Sequence, residues 1–172
     1  MRSELDRVIL GVVAKFGPLT SYAVGKHFRD SPASRFSDSA GSIYPAMERL
    51  LQGGLLRVRE EMKGRQPRRL YKISAAGQRE LVAWLTEEPA QDELDPPADP
   101  LRLRLYFLAQ LPPRERRAFL DTTIERVETR LAEVREYARG ERAASLSQLA
   151  SEGMVYLQRA RLQWLRYVRE NL

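Results

Sequence analysis

Cysteine is absent from the 172-residue sequence, and histidine occurs once, at His27. The lack of cysteine excludes a disulfide framework, a thiolate metal site and a cysteine nucleophile. A single histidine leaves a transition-metal site without its usual ligands. Ser21, His27 and Asp30 are the residue types of a catalytic triad, but nothing in the sequence fixes them together. No nucleophile-elbow or phosphate-loop motif is present either. We therefore expect no cofactor, no metal ion and no enzymatic activity.

Long apolar runs are also missing from the chain. No uninterrupted segment approaches the ~20 residues that a helix needs to cross a bilayer. The first seven residues, Met1-Arg2-Ser3-Glu4-Leu5-Asp6-Arg7, carry acids and lack the apolar segment of a secretory signal. These absences predict a cytoplasmic protein that does not associate with a membrane.

Positive charge is what the sequence has in excess. The formal net charge is +6 and the sequence pI is about 9.9, with 43% hydrophobic and 30% charged residues. The hydrophobic fraction is sufficient for a packed core. A basic balance favours an anionic partner, either nucleic acid or an acidic membrane surface, and the charge alone does not distinguish the two.

One stretch, residues 39–73, organises the rest of the chain. Its first apolar residues have the spacing of one buried helical face, at Ile43, Met47, Leu50 and Leu51. Gly53-Gly54 ends this third helix. Pro45 is tolerated only in a first helical turn, where its missing N–H has no intrahelical partner. We therefore predict that the helix begins close to Gly41 or Ser42.

A basic hairpin follows this helix. Residues 55–58 and 70–73 have the pattern of two short strands, with the basic segment 63–69 between them. A segment that contains Gly64, Pro67 and four cations belongs at a hairpin tip and not in a core. A helix followed by a basic hairpin is the plan of a winged helix-turn-helix, in which the helix enters a major groove and the wing lies along phosphates.

Two helices precede this stretch. An apolar helical stripe predicts the first, and Gly17-Pro18 ends it. Thr20 or Ser21 caps the second helix. We expect the second helix to bury three side chains, Tyr22, Val24 and Phe28. With a fourth helix capped by Ser74, these elements complete a winged helix-turn-helix domain over residues 1–88.

The same stretch resembles the PadR-like transcriptional regulators, named for the phenolic acid decarboxylase regulator. Four segments carry the resemblance: Gly41-Ser42-Ile43-Tyr44-Pro45-Ala46, Arg49-Leu50, Gly54-Leu55-Leu56 and Arg69-Leu70-Tyr71-Lys72-Ile73-Ser74-Ala75-Ala76-Gly77. It covers roughly residues 5–85. The family usually has glycine before the tyrosine at Tyr22, and this chain has Ser21. The resemblance implies DNA binding, dimerisation through C-terminal helices and binding of small aromatic or cationic amphipathic compounds.

We predict that two groups of side chains contact DNA. They are Ser39 just before the third helix with Ser42, Tyr44, Pro45 and Arg49 on it, and Lys63, Arg65, Arg68 and Arg69 in the wing. An arginine can bond a guanine edge or a phosphate, and a tyrosine hydroxyl can bond a phosphate. The alternatives are that Tyr44 packs against the wing, that Arg49 pairs with Glu48 or solvent, and that the wing cations form only a solvated surface.

An acidic segment with four prolines, residues 89–100, has the composition of a linker. Beyond it, residues 101–172 predict three helices. Residues 101–105 also alternate as a strand would, but no partner strand follows. Of the two long helices, one begins at Pro112-Pro113 and is broken at Gly140, and the last begins near Glu141. The apolar spacing of three and four residues in both is that of a coiled-coil-like seam.

We predict that this C-terminal domain forms a homodimer interface. The predicted interface residues are Leu105, Leu131, Val134, Leu146, Leu149, Leu157, Trp164 and Val168. The alternative is that this apolar surface packs onto the chain's own winged domain. Trp84, Tyr106, Tyr156 and Trp164 are candidates for a pocket that binds a small aromatic effector, although each is also suited to filling a core or an interface.

The predicted fold class is therefore mainly α with a small β-hairpin wing. It combines an N-terminal winged helix-turn-helix domain with a C-terminal helical dimerisation domain. The predicted function is a sequence-specific transcriptional repressor, a homodimer on a palindromic double-stranded DNA operator, released by a small-molecule effector. Two alternatives are a sequence-neutral nucleic-acid architectural protein and a protein-interaction module on a winged-helix scaffold; competition binding at fixed salt separates the first from a specific regulator.

Overall fold

Eight α-helices, two β-strands and one short 3₁₀ helix make up the described part of the chain. The computed structural model describes residues 3–31, 40–64, 66–94, 99–143 and 145–172, without the side chains of residues 40, 63 and 92. The chain divides into two units, Met1–Pro89 and Ala90–Leu172. None of the helices in the described ranges combines the length and the apolar character that crossing a membrane requires.

The first two helices begin at hydroxyl caps. In α1 (Glu4–Phe16), the Ser3 side chain accepts from the Asp6 N–H, and in α2 (Ser21–Asp30) Thr20 does the same for Ala23. Their apolar faces meet in a core that contains Ile9, Leu10, Val13, Val24 and Phe28. The expectation that Tyr22 is buried was wrong, since its side chain is 63% exposed. Two residues apart on a helix, Tyr22 and Val24 face nearly opposite directions.

The third helix, α3 (Ala40–Gln52), starts earlier than predicted, so that Pro45 is its sixth residue and lies in the second turn. Pro45 has no N–H to donate to the carbonyl of Gly41, four residues back. Both residues are exposed to solvent, so no buried polar group is left without a partner by this gap. The expected start close to Gly41 or Ser42 is therefore confirmed to within one residue, whereas the expected position of Pro45 in the first turn was wrong.

The end of α3 has the predicted glycine stop. Gly54 has φ +71°, and its N–H donates to the Leu51 carbonyl while the Leu55 N–H donates to the Leu50 carbonyl, each at 2.9 Å. This pair of hydrogen bonds is a Schellman motif, which needs a left-handed residue and therefore favours glycine. Leu50 and Leu55 both lie in the core. The turn thus directs the chain from α3 straight into the hairpin.

The hairpin consists of β1 (Leu56–Lys63) and β2 (Gln66–Ile73), which are longer than the predicted strands. They pair antiparallel from Leu56 opposite Ile73 to Lys63 opposite Gln66. A further bridge forms on the other edge of β2, where the N–H and carbonyl groups of Leu19 and Tyr71 bond each other at 3.0 and 2.8 Å. The hairpin is therefore attached to the helices through its second strand.

The junction between the hairpin and α4 (Ala75–Thr86) is locked by Ser74. Its hydroxyl donates to the Gly54 carbonyl at 2.7 Å and accepts from the Gly77 N–H at 2.9 Å. The helix start lies so close to Leu55 that a Cβ on Gly77 would be 2.1 Å from the Leu55 carbonyl oxygen. Only glycine fits at position 77. The contacts of Ser74 and Gly77 explain in structural terms why these residue types end the segment 69–77, one of the segments that carry the resemblance.

The described residues of the C-terminal unit form four α-helices and the 3₁₀ helix: α5 (Gln91–Leu94), α6 (Pro100–Tyr106), Leu108–Gln110, α7 (Pro113–Gly140) and α8 (Leu146–Glu170). The helical interpretation of residues 101–105 is confirmed by α6. The last helix begins at Leu146 and not near Glu141, because Ser145 caps it by accepting from the Gln148 N–H. Gly140 is the final residue of α7, as the predicted break at this glycine requires.

The long helices α7 and α8 pack against each other along most of their length. Leu131, Val134 and Leu162 form one buried cluster between them, and Leu120 and Leu165 belong to a second. Ion pairs cross the same contact, including Arg169 Nε to Asp121 Oδ1 at 2.7 Å. The C-terminal unit is thus a helical hairpin with its own core.

Candidate nucleic-acid interface

The exposed side of α3 is polar and opposite to the core. Ile43 and Met47 are each 1% exposed, whereas Tyr44 is 54% exposed and Pro45 is also exposed. Glu48, one turn further on, falls on the same side. We call Tyr44, Pro45 and Glu48 the exposed α3 face. Tyr44 does not pack into the core, so its hydroxyl lies on the side of α3 that faces solvent.

Arg49 makes a different contact from those considered on the sequence. Its Nη2 lies 2.8 Å from Oδ1 of Asp6 on α1, and Asp6 is only 4% exposed. The partner of Arg49 is therefore Asp6, and not Glu48 or solvent as the sequence suggested. Because this pair joins α1 to α3 and satisfies a buried carboxylate, Arg49 has a structural role, while its DNA contact stays a prediction.

Glu48 and Arg69 connect α3 to the wing. Oε2 of Glu48 and Nη1 of Arg69 are 3.4 Å apart, and both side chains are about half exposed. The Arg69 guanidinium also lies 5.3 Å from the centre of the Tyr71 ring. A pair this exposed contributes little stability, so its effect is to orient the arginine beside α3.

Arg68 is also paired within the wing. Its Nε donates to Oε2 of Glu61 at 3.0 Å, and the register places these residues directly opposite each other. The hydrogen bond from Arg68 lowers the pKa of the Glu61 carboxyl below its ordinary value. This carboxylate therefore stays charged and offsets one of the wing cations at neutral pH.

Even so, the hairpin holds the excess charge of its unit. Residues 56–73 contain seven Lys and Arg and two Asp and Glu, a net charge of +5. The whole unit Met1–Pro89 contains 15 Lys and Arg and 10 Asp and Glu, so its net charge is also +5. Outside the hairpin the charges of the unit therefore cancel, and the long-range attraction for an anion is concentrated in the wing.

Three of the predicted contact side chains fall outside the described part of the chain. They are those of Ser39, Arg65 and Lys63. Ser42 is partly buried on α3. The acidic partners Asp6 and Glu61 were not predicted, and Glu48 was considered only as a partner of Arg49, whereas it pairs with Arg69. The Glu61 pairing could have been found from strand alternation across the hairpin, whereas nothing local in the sequence indicates the pairing of Arg49 with Asp6, 43 residues away.

The predicted dimer residues fall into two groups. Leu131 and Val134 are buried between α7 and α8 of the same chain, and Leu105, Trp164 and Val168 pack partly buried around Leu165. The second group is exposed, at 85% for Leu146, 57% for Leu149 and 68% for Leu157. These belong to an exposed stripe along one side of α8, which we call the α8 stripe: Leu146, Leu149, Gly153, Tyr156, Leu157, Ala160 and Tyr167.

The candidate effector residues do not form one cluster within a unit. Trp84 lies on α4, where the Arg7 guanidinium is 6.0 Å from its ring. In the C-terminal unit, Tyr106 is 82% exposed, and Tyr156 lines a groove of about 440 Å³ together with Arg135 and Arg159. Trp164 packs with the Leu165 cluster instead.

Comparison with known proteins agrees with this architecture. Residues 9–83 match the Transcriptional regulator PadR-like family, and residues 98–172 match the family described as Virulence activator alpha C-term. The arrangement of α3 and its paired wing is thus that of a winged helix-turn-helix domain. This match over residues 9–83 confirms the resemblance to the PadR-like family, and the helices with their antiparallel hairpin confirm the predicted fold class, mainly α with a β-hairpin wing.

Solved structures of such regulators resemble the whole chain. Bacillus subtilis PadR in complex with operator DNA is 20% identical, with a TM-score of 0.84 over 98% of each chain. PadR-like BC1756 from Bacillus cereus is 20% identical, with a TM-score of 0.77 over 99% of this chain and 97% of that one. Vibrio cholerae virulence activator AphA is 20% identical, with a TM-score of 0.69 over 98% and 97%. No curated protein matches the sequence.

Proposed function

We propose that this chain binds double-stranded DNA as a sequence-specific transcriptional regulator. The observation that carries the proposal is the exposed α3 face beside a hairpin that holds all the net charge of its unit. A major groove admits an α-helix, and phosphates attract the adjacent cations. Bacillus subtilis PadR, which shares the fold, was crystallised with operator DNA, and this supports the proposal.

The proposal includes a homodimer that binds a palindromic operator. The α8 stripe lies on the side of α8 away from Val155 and Leu162, which already face α7. From Leu146 to Tyr156 the stripe advances by three and four residues, a spacing that suits a helix from a second copy. Two-fold symmetry would then present two α3 helices to successive major grooves, about one helical turn apart.

The proposed sign of regulation is repression, with release by a small aromatic effector. Bacillus subtilis PadR has been crystallised with p-coumaric acid, which supports an aromatic carboxylate as the class of effector. AphA is named a virulence activator, so the fold by itself is compatible with either sign. In vitro transcription from the bound promoter, with and without p-coumaric acid, tests both parts.

Binding to labelled duplexes from the DNA upstream of the coding region tests the central proposal. We expect one duplex to bind at least 10³-fold more tightly than scrambled duplex at the same salt, with protection of two half-sites. Sedimentation should give twice the 19.8 kDa chain mass. Equal affinity for scrambled DNA would instead indicate an architectural protein. Absence of binding at low salt would leave only the interaction module, in which replacing Arg68 and Arg69 by Ala has no effect.

A further inference from the structure

An acidic side chain lies in the middle of the surface proposed to face DNA. Glu48 follows Tyr44 by four residues and Pro45 by three, so the three share one side of α3. The opposite side of the helix is committed to the core through Ile43 and Met47. Glu48 therefore enters the major groove whenever the exposed α3 face does.

A carboxylate in this position opposes DNA binding unless it finds a donor. It is repelled by the phosphates, and its oxygens only accept hydrogen bonds. In the free chain its donor is Arg69, at 3.4 Å, with both side chains about half exposed. Because so exposed a pair is weak, Arg69 can exchange the carboxylate for a phosphate at little cost.

The groove itself can supply the replacement donor. Among base edges in the major groove, amino groups occur on cytosine N4 and adenine N6. Adenine places its N7 acceptor beside the amino group, and that acceptor disfavours a carboxylate. Cytosine presents the N4 donor with no acceptor beside it on the same base, and glutamate is suited to accept from it.

We propose that Glu48 is a specificity-determining residue that accepts a hydrogen bond from the amino group of one cytosine in each half of the DNA site. When Glu48 accepts this hydrogen bond, Arg69 leaves the carboxylate and binds a phosphate instead. This inference rests on the proposed function, because it requires that α3 enters the major groove.

Selection of bound duplexes from a randomised pool tests this with the full-length chain. Glutamine pairs with adenine through N6 and N7. The variant Glu48→Gln should therefore change the preferred base from cytosine to adenine at one position of each half-site. The ratio of the two bases there should change by roughly tenfold or more, while other positions keep their preference. An unchanged preference at every position would overturn the proposal.

Two control variants separate base reading from charge. Glu61→Gln makes the same chemical change at a wing carboxylate that is also paired with an arginine, Arg68, and should keep the cytosine preference. Arg69→Gln should weaken binding to all sequences and reduce the salt slope by about 1, again with the cytosine preference kept. Loss of that preference in either control would contradict a specific role of Glu48.

The same selection distinguishes failure of this inference from failure of the proposed function. If the wild-type chain enriches no sequence, sequence-specific regulation is wrong and the role of Glu48 falls with it. If the wild-type chain enriches a site and Glu48→Gln enriches the same bases, only the role of Glu48 is wrong.

Discussion

The two units of the chain expose different chemistry. Met1–Pro89 carries 15 Lys and Arg against 10 Asp and Glu, a net charge of +5, whereas Ala90–Leu172 carries 14 against 13, a net charge of +1. In the first unit the apolar side chains close a core around Ile9 and Leu50. In the second, α8 is apolar on two sides, and only the side with Val155 and Leu162 faces α7.

This difference separates two kinds of binding. A charged hairpin attracts an anion, and this attraction weakens steeply as salt rises. An exposed apolar stripe attracts another apolar surface at roughly 25 cal/mol per Å² buried, and salt does not screen it. If the units act as the proposal requires, DNA binding and self-association should respond differently to salt, and substitutions in each unit should affect mainly one of them.

The two tryptophans make the comparison measurable. Trp84 lies in the N-terminal unit and Trp164 in the C-terminal unit. Fluorescence of Trp84→Phe and Trp164→Phe backgrounds therefore reports unfolding of one unit at a time. The expected effects below run from the largest to the smallest.

The largest effect is expected for Gly77→Ala. The new Cβ would lie 2.1 Å from the Leu55 carbonyl oxygen and 2.9 Å from Ile73 Cγ1, so the start of α4 must move. We expect the free energy of unfolding of the N-terminal unit to fall by about 3 kcal/mol. Chemical denaturation followed by Trp84 should show the loss, with the Trp164 signal unchanged.

Gly11→Ala is the matched control in the same unit. Its Cβ would meet only Leu81 Cδ1, at an ordinary 3.9 Å. Because alanine is favoured over glycine inside a helix, this variant should be as stable as the wild type or more stable by roughly 0.5 kcal/mol. Equal stability of the Gly77 and Gly11 variants would show that the junction of β2 and α4 is not tight.

The next effect concerns the pair of Arg49 and Asp6. Arg49→Ala leaves a buried carboxylate without its partner, and we expect the N-terminal unit to lose about 2 kcal/mol. In the double variant Asp6→Asn with Arg49→Gln no charge is left uncompensated, so it should unfold at higher denaturant than Arg49→Ala.

The same Arg49 variant tests the DNA contact predicted from the sequence. At a temperature where Arg49→Ala is fully folded, a purely structural role leaves the preferred bases unchanged in the selection experiment. Altered preference at one position would instead show that Arg49 reads a base as well as binding Asp6.

A smaller effect is expected for the α8 stripe. Leu157 is 68% exposed, so Leu157→Glu should leave the Trp164 unfolding transition in place. In a dimer it would bury a charge against an apolar surface, and self-association measured by sedimentation equilibrium should weaken at least tenfold, about 1.4 kcal/mol. Leu94→Glu replaces a leucine that is 65% exposed but lies outside the stripe, and it should not change self-association. Equal weakening of self-association in both variants would rule out the stripe as the interface.

The smallest effect is expected in the wing. The Arg68 hydrogen bond holds the pKa of the Glu61 carboxyl below its ordinary 4.5, and Arg68→Gln should raise that pKa. Since the folded-state pKa is the lowered one, any stabilisation is present above the ordinary pKa and is lost as pH falls through the folded value. Carboxyl NMR titration checks this, and identical pKa values in both proteins would disprove the pairing in solution.

Much of the fold could be predicted because its signals are local. The stripe of Ile43, Met47 and Leu50, the Gly53-Gly54 stop and the Ser74 cap each specify structure within a few residues. The prediction for Pro45 failed because the rule that confines proline to the first helical turn was applied too strictly; an exposed second turn tolerates it as well. The prediction that Tyr22 is buried failed for a different reason, because the helical period already placed Tyr22 opposite the buried Val24.

The position of the basic hairpin could be predicted from the sequence, but the ion pairs of its arginines could not. The basic composition of residues 63–69, between two short strand patterns, is enough to indicate a wing. The partners of its arginines could not be read in the same way, because an ion pair depends on which distant backbone positions folding brings within reach. Arg49 meets Asp6 across 43 residues, and Arg69 meets Glu48 across 21.

The sequence alone determined the helix-turn-helix with its wing and the concentration of charge in the hairpin, because periodicity, glycine stops and composition act over short distances. Only the tertiary structure decided which apolar residues of α8 are used within the chain and which remain exposed, and which cations of the interface are already paired. Both depend on the packing of elements that are far apart in the chain, and no local pattern encodes that packing.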